Sequence, residues 1–142
     1  MYRSQNCFGC GPENPMGLQL HIEQQDADGV ITHFVSEKKH EGWPGIQHGG
    51  VTSALLDEVC GYVPNFMGLV AMTASLNVSF VAPIRVGESL KITAAPTRIT
   101  RRLIDVQAKI VSKEGELKAE ALAKMMVLSE EQRALAGLTE LS

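Results

Sequence analysis

Hydrophobic and polar positions alternate with a two-residue period over most of the chain and follow a helical period in one central segment. The stretch LQLHIEQQ, residues 18–25, alternates apolar and polar residues and is followed by the turn DADG and the stretch GVITHFVSE, which predicts an antiparallel hairpin. From Gly50 to Tyr62 the apolar residues recur at helical spacing, and a loop is predicted from Pro64 onwards. The central segment is therefore predicted to be the one long helix.

The chain beyond this helix is predicted to be strand almost throughout, to about Ser129. The stretches 69–83, 86–99 and 103–112 have strand character, and a bend is predicted near Thr100 to Arg102. KEGE predicts a tight turn, after which ELKAEALAKMMVLS alternates through small residues. Helix is the alternative for that last stretch, but the preceding turn favours strand. The tail EEQRALAGLTELS is predicted to be a short polar helix or a frayed end.

This order of elements predicts an α+β fold in which one helix is covered by one sheet. Two strands, a helix and four long antiparallel strands leave a single helix that is apolar on most of its circumference. Such a helix has to be surrounded by the sheet. We therefore expect a curved antiparallel sheet of five to six strands wrapped around one long central helix, the hot-dog arrangement.

Composition limits the possible functions without selecting one. The 142 residues have the size of one domain, so residues 1–142 are predicted to form a single unit with its own core. A net charge of −3 argues against a nucleic-acid-binding protein. No stretch approaches the ~18 apolar residues of a membrane span, and the first ten residues hold no apolar signal segment. A cytoplasmic protein is expected.

Three motifs together resemble the PaaI-type acyl-CoA thioesterases of the hot-dog superfamily. They are QHGGVTSALLDEVCGY in the predicted helix, NVSFVAPIRVGE after it, and CFGCGPENPMGLQL near the start, so that the resemblance runs from Cys7 to about Met126. The His-Gly-Gly triplet with an acid nine residues after the histidine makes the combination specific. The resemblance implies hydrolysis of an acyl-CoA thioester with water and without a cofactor, in a homodimer or a dimer of dimers.

The start of the predicted helix and one acid within it are the expected catalytic groups. The backbone N–H groups of Gly49 and Gly50 precede the first intrahelical hydrogen bonds and carry the positive end of the helix dipole, so they can bind a developing oxyanion. Asp57 lies two turns further on and is the expected general base or nucleophile, acting across a dimer interface in similar enzymes. Its neighbour Glu58 points about 100° away around the helix and is expected to be a partly solvated or paired residue.

The resemblance implies roles for several further residues. Thr73 is placed where relatives carry a Ser or Thr that holds the attacking water. His48 is expected to bond to backbone near the helix start, beside the substrate, rather than to act as a base. Arg85, Arg101 and Arg102 are candidates for binding the phosphates of coenzyme A.

Two features of the sequence need a separate interpretation: the glycine at position 42 and the CxxC motif. Some relatives have Asn or Gln six residues before the histidine, where this chain has Gly42; Glu41 and Gln47 are candidates to compensate. Cys7 and Cys10 form one CxxC, which supplies two of the four ligands that zinc usually takes, so no metal is expected. Trp43, Phe66 and Met67 flank the helix and are either core or acyl-tunnel residues.

Two alternatives to hydrolysis remain open from the sequence. Hot-dog domains also serve as non-catalytic acyl-CoA-binding modules, and the presence of Asp57 argues against that function here. A hot-dog dehydratase or hydratase uses a histidine and an acid as a pair, for which His48 and Asp57 are the candidates. Aromatic and medium-chain acyl groups are both compatible with the sequence.

Overall fold

The fold consists of an antiparallel sheet and one long helix. The structure is a computed structural model and describes residues 3–138. The strands are β1 Glu23–Gln25, β2 Gly29–Val35, β3 Ala71–Phe80, β4 Ser89–Ile99, β5 Leu103–Ser112 and β6 Leu117–Val127. The helices are α1 Gly49–Phe66 and α2 Glu130–Leu135, and a 3₁₀ turn covers Lys38–His40.

The six strands form one sheet in the order β1-β2-β4-β5-β6-β3, with every neighbouring pair antiparallel. Helix α1 packs against β2, β3, β4, β5 and β6, so the sheet surrounds it. This is the hot-dog fold, as the sequence predicts. Strand β3, which directly follows the helix in the chain, ends up at the free edge of the sheet beside β6.

The core lies between the helix and the inner face of the sheet. Leu55, Leu56 and Val59 of α1 are fully buried against it. The alternation predicted for the last two long strands is confirmed, because their inward positions are almost completely shielded from solvent. These residues are Ile104, Val106, Ala108 and Ile110 in β5 and Ala119, Ala121, Ala123 and Met125 in β6. The small side chains of β6 let the sheet approach the helix closely.

The prediction of a strand over residues 18–25 is mostly wrong. Strand pairing is limited to Glu23–Gln25, although the apolar residues before it are buried as the alternation predicts. Gln19 adopts a left-handed backbone conformation with φ of 52°, which interrupts the extended chain. The N–H groups of Leu18 and Leu20 bond instead to the carbonyls of Phe8 and Gly9, so this segment pairs with the N-terminal loop.

The helix continues past the proline at which a loop is predicted. Pro64 lies in the last turn of α1, which ends at Phe66, and there the missing N–H removes one hydrogen bond without breaking the rest of the helix. Gly115 in the β5–β6 turn has the positive φ that the KEGE pattern requires. The short helix predicted in the tail is Glu130–Leu135, and residues 139–142 lie outside the described part. Neither helix within residues 3–138 meets the length and hydropathy needed to cross a membrane.

Candidate active site

The N-terminus of α1 is shaped by the His-Gly-Gly triplet. His48 is the N-cap, and its Nδ1 accepts a hydrogen bond of 2.8 Å from the N–H of Gly50, while its own N–H bonds to the His40 carbonyl. The backbone contact expected of the histidine is therefore present. Because the Gly50 N–H donates to His48, it is not free to bind an oxyanion, and of the two glycines expected to do so only Gly49 remains a candidate. The N–H of Gly49 has no acceptor among residues 3–138.

The loop before the helix explains the glycine at position 42. A Cβ on Gly42 would lie 3.0 Å from the Cα of His48, a tight contact, so a larger residue there would require the capping His48 to shift by a few tenths of an ångström. The two candidates to compensate have other partners. Glu41 accepts a hydrogen bond from the N–H of Gly45, and the buried Gln47 donates one to Thr52. These contacts give neither Glu41 nor Gln47 a role in binding the substrate.

A cavity of about 350 Å³ lies beside the start of α1. It is lined by Gly42, Trp43, Gln47, His48 and Gly49. Trp43 is 81% exposed beside it, so this tryptophan is not part of the core of the chain. A free backbone donor at a helix N-terminus beside an accessible cavity can stabilise negative charge on a bound ligand.

The second chemical centre is the pair Asp57 and Thr73. The Thr73 hydroxyl donates a hydrogen bond of 2.7 Å to Asp57 Oδ1, which links the middle of α1 to the start of β3. The β3–β6 register shifts between Thr73 and Ser75, and such a bulge re-aims the side chains next to it. The carboxylate is half-buried and reachable by solvent. The two residues that the resemblance selects are thus in direct contact.

Glu58 faces a different neighbour. Both of its carboxylate oxygens lie near the Cys7 thiol, at 3.6 and 3.7 Å, so the acid points to the N-terminal loop and away from Thr73. Burial raises the pKa of Glu58 above its usual range, opposed by hydrogen bonds from Cys10 and Cys7. Burial likewise raises the pKa of the Cys10 thiol to about 12. The sequence predicts that Asp57 and Glu58 point in different directions. No pattern in the sequence indicates that Glu58 contacts the CxxC motif.

The two chemical centres are separated within one chain. Asp57 is eight residues after Gly49 in the helix, a rise of about 12 Å along the axis, which one thioester group cannot bridge. His48 lies further still from Asp57, so the histidine–acid pair of a dehydratase is not formed within the chain. The last residue of β3, Phe80, lies next to Gly49, because a Cβ added to Gly49 would be 3.5 Å from the Phe80 ring. Thr73 lies near the opposite end of β3.

The expected phosphate-binding arginines fall into two groups. Arg85 is exposed and forms a backbone bridge to Ile46, close to the start of α1. Arg101 and Arg102 are exposed in the turn between β4 and β5. The carbonyl of Arg102 accepts from the N–H of Val127, which pairs with Ala71, so this turn lies at the Thr73 end of β3. The structure therefore does not bring the three arginines together in one chain.

Comparison with known families identifies the chain. A family model described as the Thioesterase superfamily matches residues 44–119, just over half of the sequence. The chain belongs to this superfamily. The match begins in the loop before α1 and ends in β6, so it includes Gly49, Asp57 and Thr73. A curated relative, the uncharacterised protein C26H8.11c of Schizosaccharomyces pombe, is 28% identical over 81 residues. That alignment covers 56% of this chain and 46% of the relative, so the chain spans about half of the relative's length.

Solved structures share the fold. The E. coli PaaI protein from the phenylacetic acid degradation operon is 20% identical, with a TM-score of 0.75 over 79% of this chain and 81% of that one. A hypothetical thioesterase of Streptococcus pneumoniae TIGR4, solved with coenzyme A, is 21% identical, with a TM-score of 0.73 over 78% of this chain and 89% of that one. The same protein has been solved as two alanine variants, of an aspartate and of a threonine sixteen residues apart.

Proposed function

We propose that the protein is an acyl-CoA thioesterase whose active site is shared between two protomers. The hydrogen bond of 2.7 Å between Thr73 and Asp57 carries this proposal, because it places a hydroxyl on the one helix carboxylate that faces the sheet edge. Membership of the Thioesterase superfamily supports the reaction class. The pneumococcal relative supports the residues, since its altered aspartate and threonine are spaced as Asp57 and Thr73 are.

The edge strand supplies the argument for two protomers. Strand β3 has ten residues, is mostly exposed and leaves one side of its backbone without a strand partner among residues 3–138. Proteins rarely leave so long an edge free. A two-fold axis would pair two β3 strands antiparallel, so that the Phe80 end of one meets the Ala71 end of the other. Gly49 of one protomer would then approach Asp57 and Thr73 of the second.

In the proposed reaction the Gly49 N–H, Asp57 and Thr73 each have a separate role. The thioester carbonyl accepts a hydrogen bond from the Gly49 N–H, and the helix dipole stabilises the oxyanion as the carbonyl is attacked. Asp57 of the other protomer acts either as the base that takes a proton from water or as the nucleophile. While Thr73 donates to Asp57, its oxygen lone pairs can accept a hydrogen bond from that water. If Asp57 is the base, the proton it has taken passes to the departing coenzyme A thiolate, and the acid is released. If Asp57 is the nucleophile, coenzyme A leaves first, taking a proton from solvent, and water then hydrolyses the mixed anhydride between Asp57 and the acyl group.

Coenzyme A would lie along the dimer interface. Pairing of β3 with β3 also brings Arg85 of one protomer towards the end that carries Arg101 and Arg102 of the other, so the three can serve one phosphate-rich ligand. The pneumococcal relative solved with coenzyme A supports this class of ligand. His48 and Gly50 shape the wall beside the thioester through their capping bond, and His48 also lines the cavity itself.

Replacing the acid tests the proposal. Asp57→Asn keeps the shape and removes the base, so thiol release from a panel of acyl-CoAs is expected to fall at least ~10²-fold. Binding of a non-hydrolysable acyl-CoA analogue should change less than about tenfold, equivalent to 1.4 kcal/mol. Asp105→Asn is the matched control, because that carboxylate pairs with Lys124 on the sheet and has no place in the proposed site.

The same measurements separate the other functions. A binding module would bind the analogue but release no thiol from any acyl-CoA, even as the wild-type protein. A hydratase would act on an enoyl-CoA and leave the thioester intact. Normal thiol release by Asp57→Asn would show that the wrong acid or the wrong chemistry has been selected.

A further inference from the structure

The CxxC motif near the N-terminus has a third polar partner that lies far away in the sequence. Cys7 and Glu58 are 51 residues apart, yet the fold places the thiol sulfur 3.6 Å from one carboxylate oxygen. Cys10 is buried in the same cluster, and one ligand atom from each of the three residues lies within 4.8 Å of the other two. The sequence predicts no metal because it offers only two ligands, and helix α1 supplies the third.

The separation of Cys7 and Glu58 suits two corners of a tetrahedral zinc site. With Zn–S of about 2.3 Å and Zn–O of about 2.0 Å, a sulfur and an oxygen on neighbouring corners of a tetrahedron are about 3.5 Å apart. The observed separations between Cys7 and Glu58 are 3.6 and 3.7 Å. Two thiolates select a soft or borderline cation such as Zn²⁺ over Mg²⁺ or Ca²⁺.

The loop is built to bring these groups together. A Cβ at Gly9 would collide with the Glu58 carboxylate, so only glycine lets the acid reach the thiols. A Cβ at Gly11 would collide with the backbone of Cys7. The N–H of Cys10 points at the Cys7 sulfur at 3.5 Å, the kind of outer contact that stabilises a thiolate ligand. Arg3 donates to the Cys10 carbonyl and places a positive charge beside the two thiols and the carboxyl group.

A cavity gives access to the cluster. It has a volume of about 290 Å³ and borders Cys7, Cys10 and Glu58 between the loop, α1 and the start of β3. Solvent in it can provide a fourth ligand, as in zinc sites that have three protein ligands. Glu58 points into this cavity about 100° around the helix from Asp57, which instead contacts the Thr73 hydroxyl.

We propose that Cys7, Cys10 and Glu58 bind one Zn²⁺, with water as the fourth ligand, and that the ion fastens the N-terminal loop to helix α1. On binding, the two thiols and the carboxyl group give up whatever protons they carry to solvent, and the metal bonds replace the thiol–carboxylate hydrogen bonds. This site is independent of the proposed thioesterase chemistry. Its failure would leave the roles of Asp57 and Gly49 untouched.

The test measures metal directly in the full chain. Reduced, metal-free protein is titrated with Zn²⁺ against a chromophoric chelator, and with Co²⁺ for the charge-transfer absorption of cobalt–thiolate bonds. The wild-type protein should bind one Zn²⁺ per chain and show that absorption, with an increase in Tm. Glu58→Gln keeps the shape and an acceptor for the thiols but should weaken Zn²⁺ binding at least ~10-fold, as should Cys7→Ser.

Two controls share the helix with Glu58. Cys60→Ala removes the third cysteine, which is fully buried and outside the cluster, and Asp57→Asn removes the neighbouring acid; both should bind Zn²⁺ as the wild type does. Equal binding by wild type and a Cys7→Ser/Cys10→Ser double variant would mean an adventitious ion only and would overturn the proposal. So would a folded, reduced wild-type protein with no stoichiometric Zn²⁺, or unchanged affinity in Glu58→Gln.

Discussion

In the proposed mechanism the Thr73 hydroxyl donates a hydrogen bond to Asp57 and accepts one from the attacking water, because an O–H group can do both. Its donated bond goes to Asp57 and fixes the carboxylate in one rotamer facing β3. The β3–β6 register shifts directly after Thr73, where the hydroxyl meets the helix. A residue at this position therefore acts on the acid even before a substrate is bound.

Removing this hydroxyl should lower activity by less than removing the acid. Thr73→Val keeps the branched shape and loses the bond to a charged group, so kcat/KM is expected to fall about 10- to 100-fold, or ~1.4–3 kcal/mol. Because the two groups work as a pair, Thr73→Val should cost little more in an Asp57→Asn background. Fully multiplicative losses, measured by thiol release from the two single variants and the double variant, would contradict the pairing.

His40 links pH to stability through its burial. The side chain is 7% exposed, its ring packs on Phe34, and Nδ1 accepts a hydrogen bond of 3.0 Å from the N–H of Glu37, which requires the neutral ring. Burial lowers the pKa of His40, helped by the Lys39 charge and opposed by Glu37.

Stability should therefore decline on mild acidification. The folded state favours the neutral ring, so its contribution is complete above the ordinary pKa of 6.5 and is lost as the pH falls from there through the lower folded pKa. In His40→Asn an oxygen replaces Nδ1 as acceptor and no proton is bound. Thermal melts between pH 7.5 and about 5 should show a smaller decline of Tm for His40→Asn than for the wild type. Identical slopes would rule out His40 as the cause.

The start of α1 combines two backbone donors with different tasks. Gly50 donates to the His48 cap and completes the helix, while Gly49, the first helical residue, keeps its N–H free. His48 has φ of −62° and ψ of 134°, a conformation that a residue preceding proline adopts readily. The first helical position is also where proline is tolerated.

This geometry allows the proposed oxyanion donor to be removed alone. Gly49→Pro deletes the N–H without breaking an intrahelical bond, so hydrolysis should fall about 10²–10³-fold, the usual cost of one oxyanion donor. The Tm should stay the same or rise. Gly49→Ala retains the N–H and is the control; its Cβ would meet Phe80 at an ordinary 3.5 Å. Equal activity in the two variants would exclude the N–H from the reaction.

Element boundaries show how far the sequence predicts this fold. The helix and strands β5 and β6 follow from period and turn residues, because their inner faces are buried along their length, whereas β3 is mostly exposed. Residues 18–22 alternate in the same way, but their N–H groups bond to the N-terminal loop instead of a strand. The alternation of apolar residues indicates which side chains are buried, but it does not indicate which segment accepts the backbone hydrogen bonds. The Asp57–Thr73 pair could be expected from the family resemblance. The contact of Glu58 with Cys7 depends on long-range packing of the N-terminal loop, which a local pattern cannot reveal.

At the scale of the whole molecule, the separation of Gly49 from Asp57 is the main constraint. One chain holds the proposed oxyanion donor and the proposed catalytic acid about 12 Å apart along the helix axis, while pairing of two β3 edges would join the donor of each chain to the acid of the other. Two equivalent sites would then form in every dimer.

Mixed dimers test this arrangement. Gly49→Pro and Asp57→Asn proteins are each expected to be inactive, but a hybrid of the two would contain one site with both residues intact and one with neither. Co-refolding equal amounts should restore about a quarter of wild-type activity, because half of the dimers are hybrids with one of two sites active. A mixture that forms dimers by analytical ultracentrifugation yet shows only the sum of the parent activities would place each site within one chain.

The divergence of the two neighbouring acids on α1 also constrains how the sequence can evolve. Adding or deleting one residue between Gly50 and Asp57 would rotate the later part of the helix by about 100° relative to its start. Asp57 would then turn away from Thr73 and Glu58 away from Cys7, even if every side chain were retained. Substitutions in this segment can be compensated one at a time, whereas a single-codon insertion or deletion would disrupt both contacts together. Length variation among homologues should therefore be confined to the loops and be absent from this part of the helix.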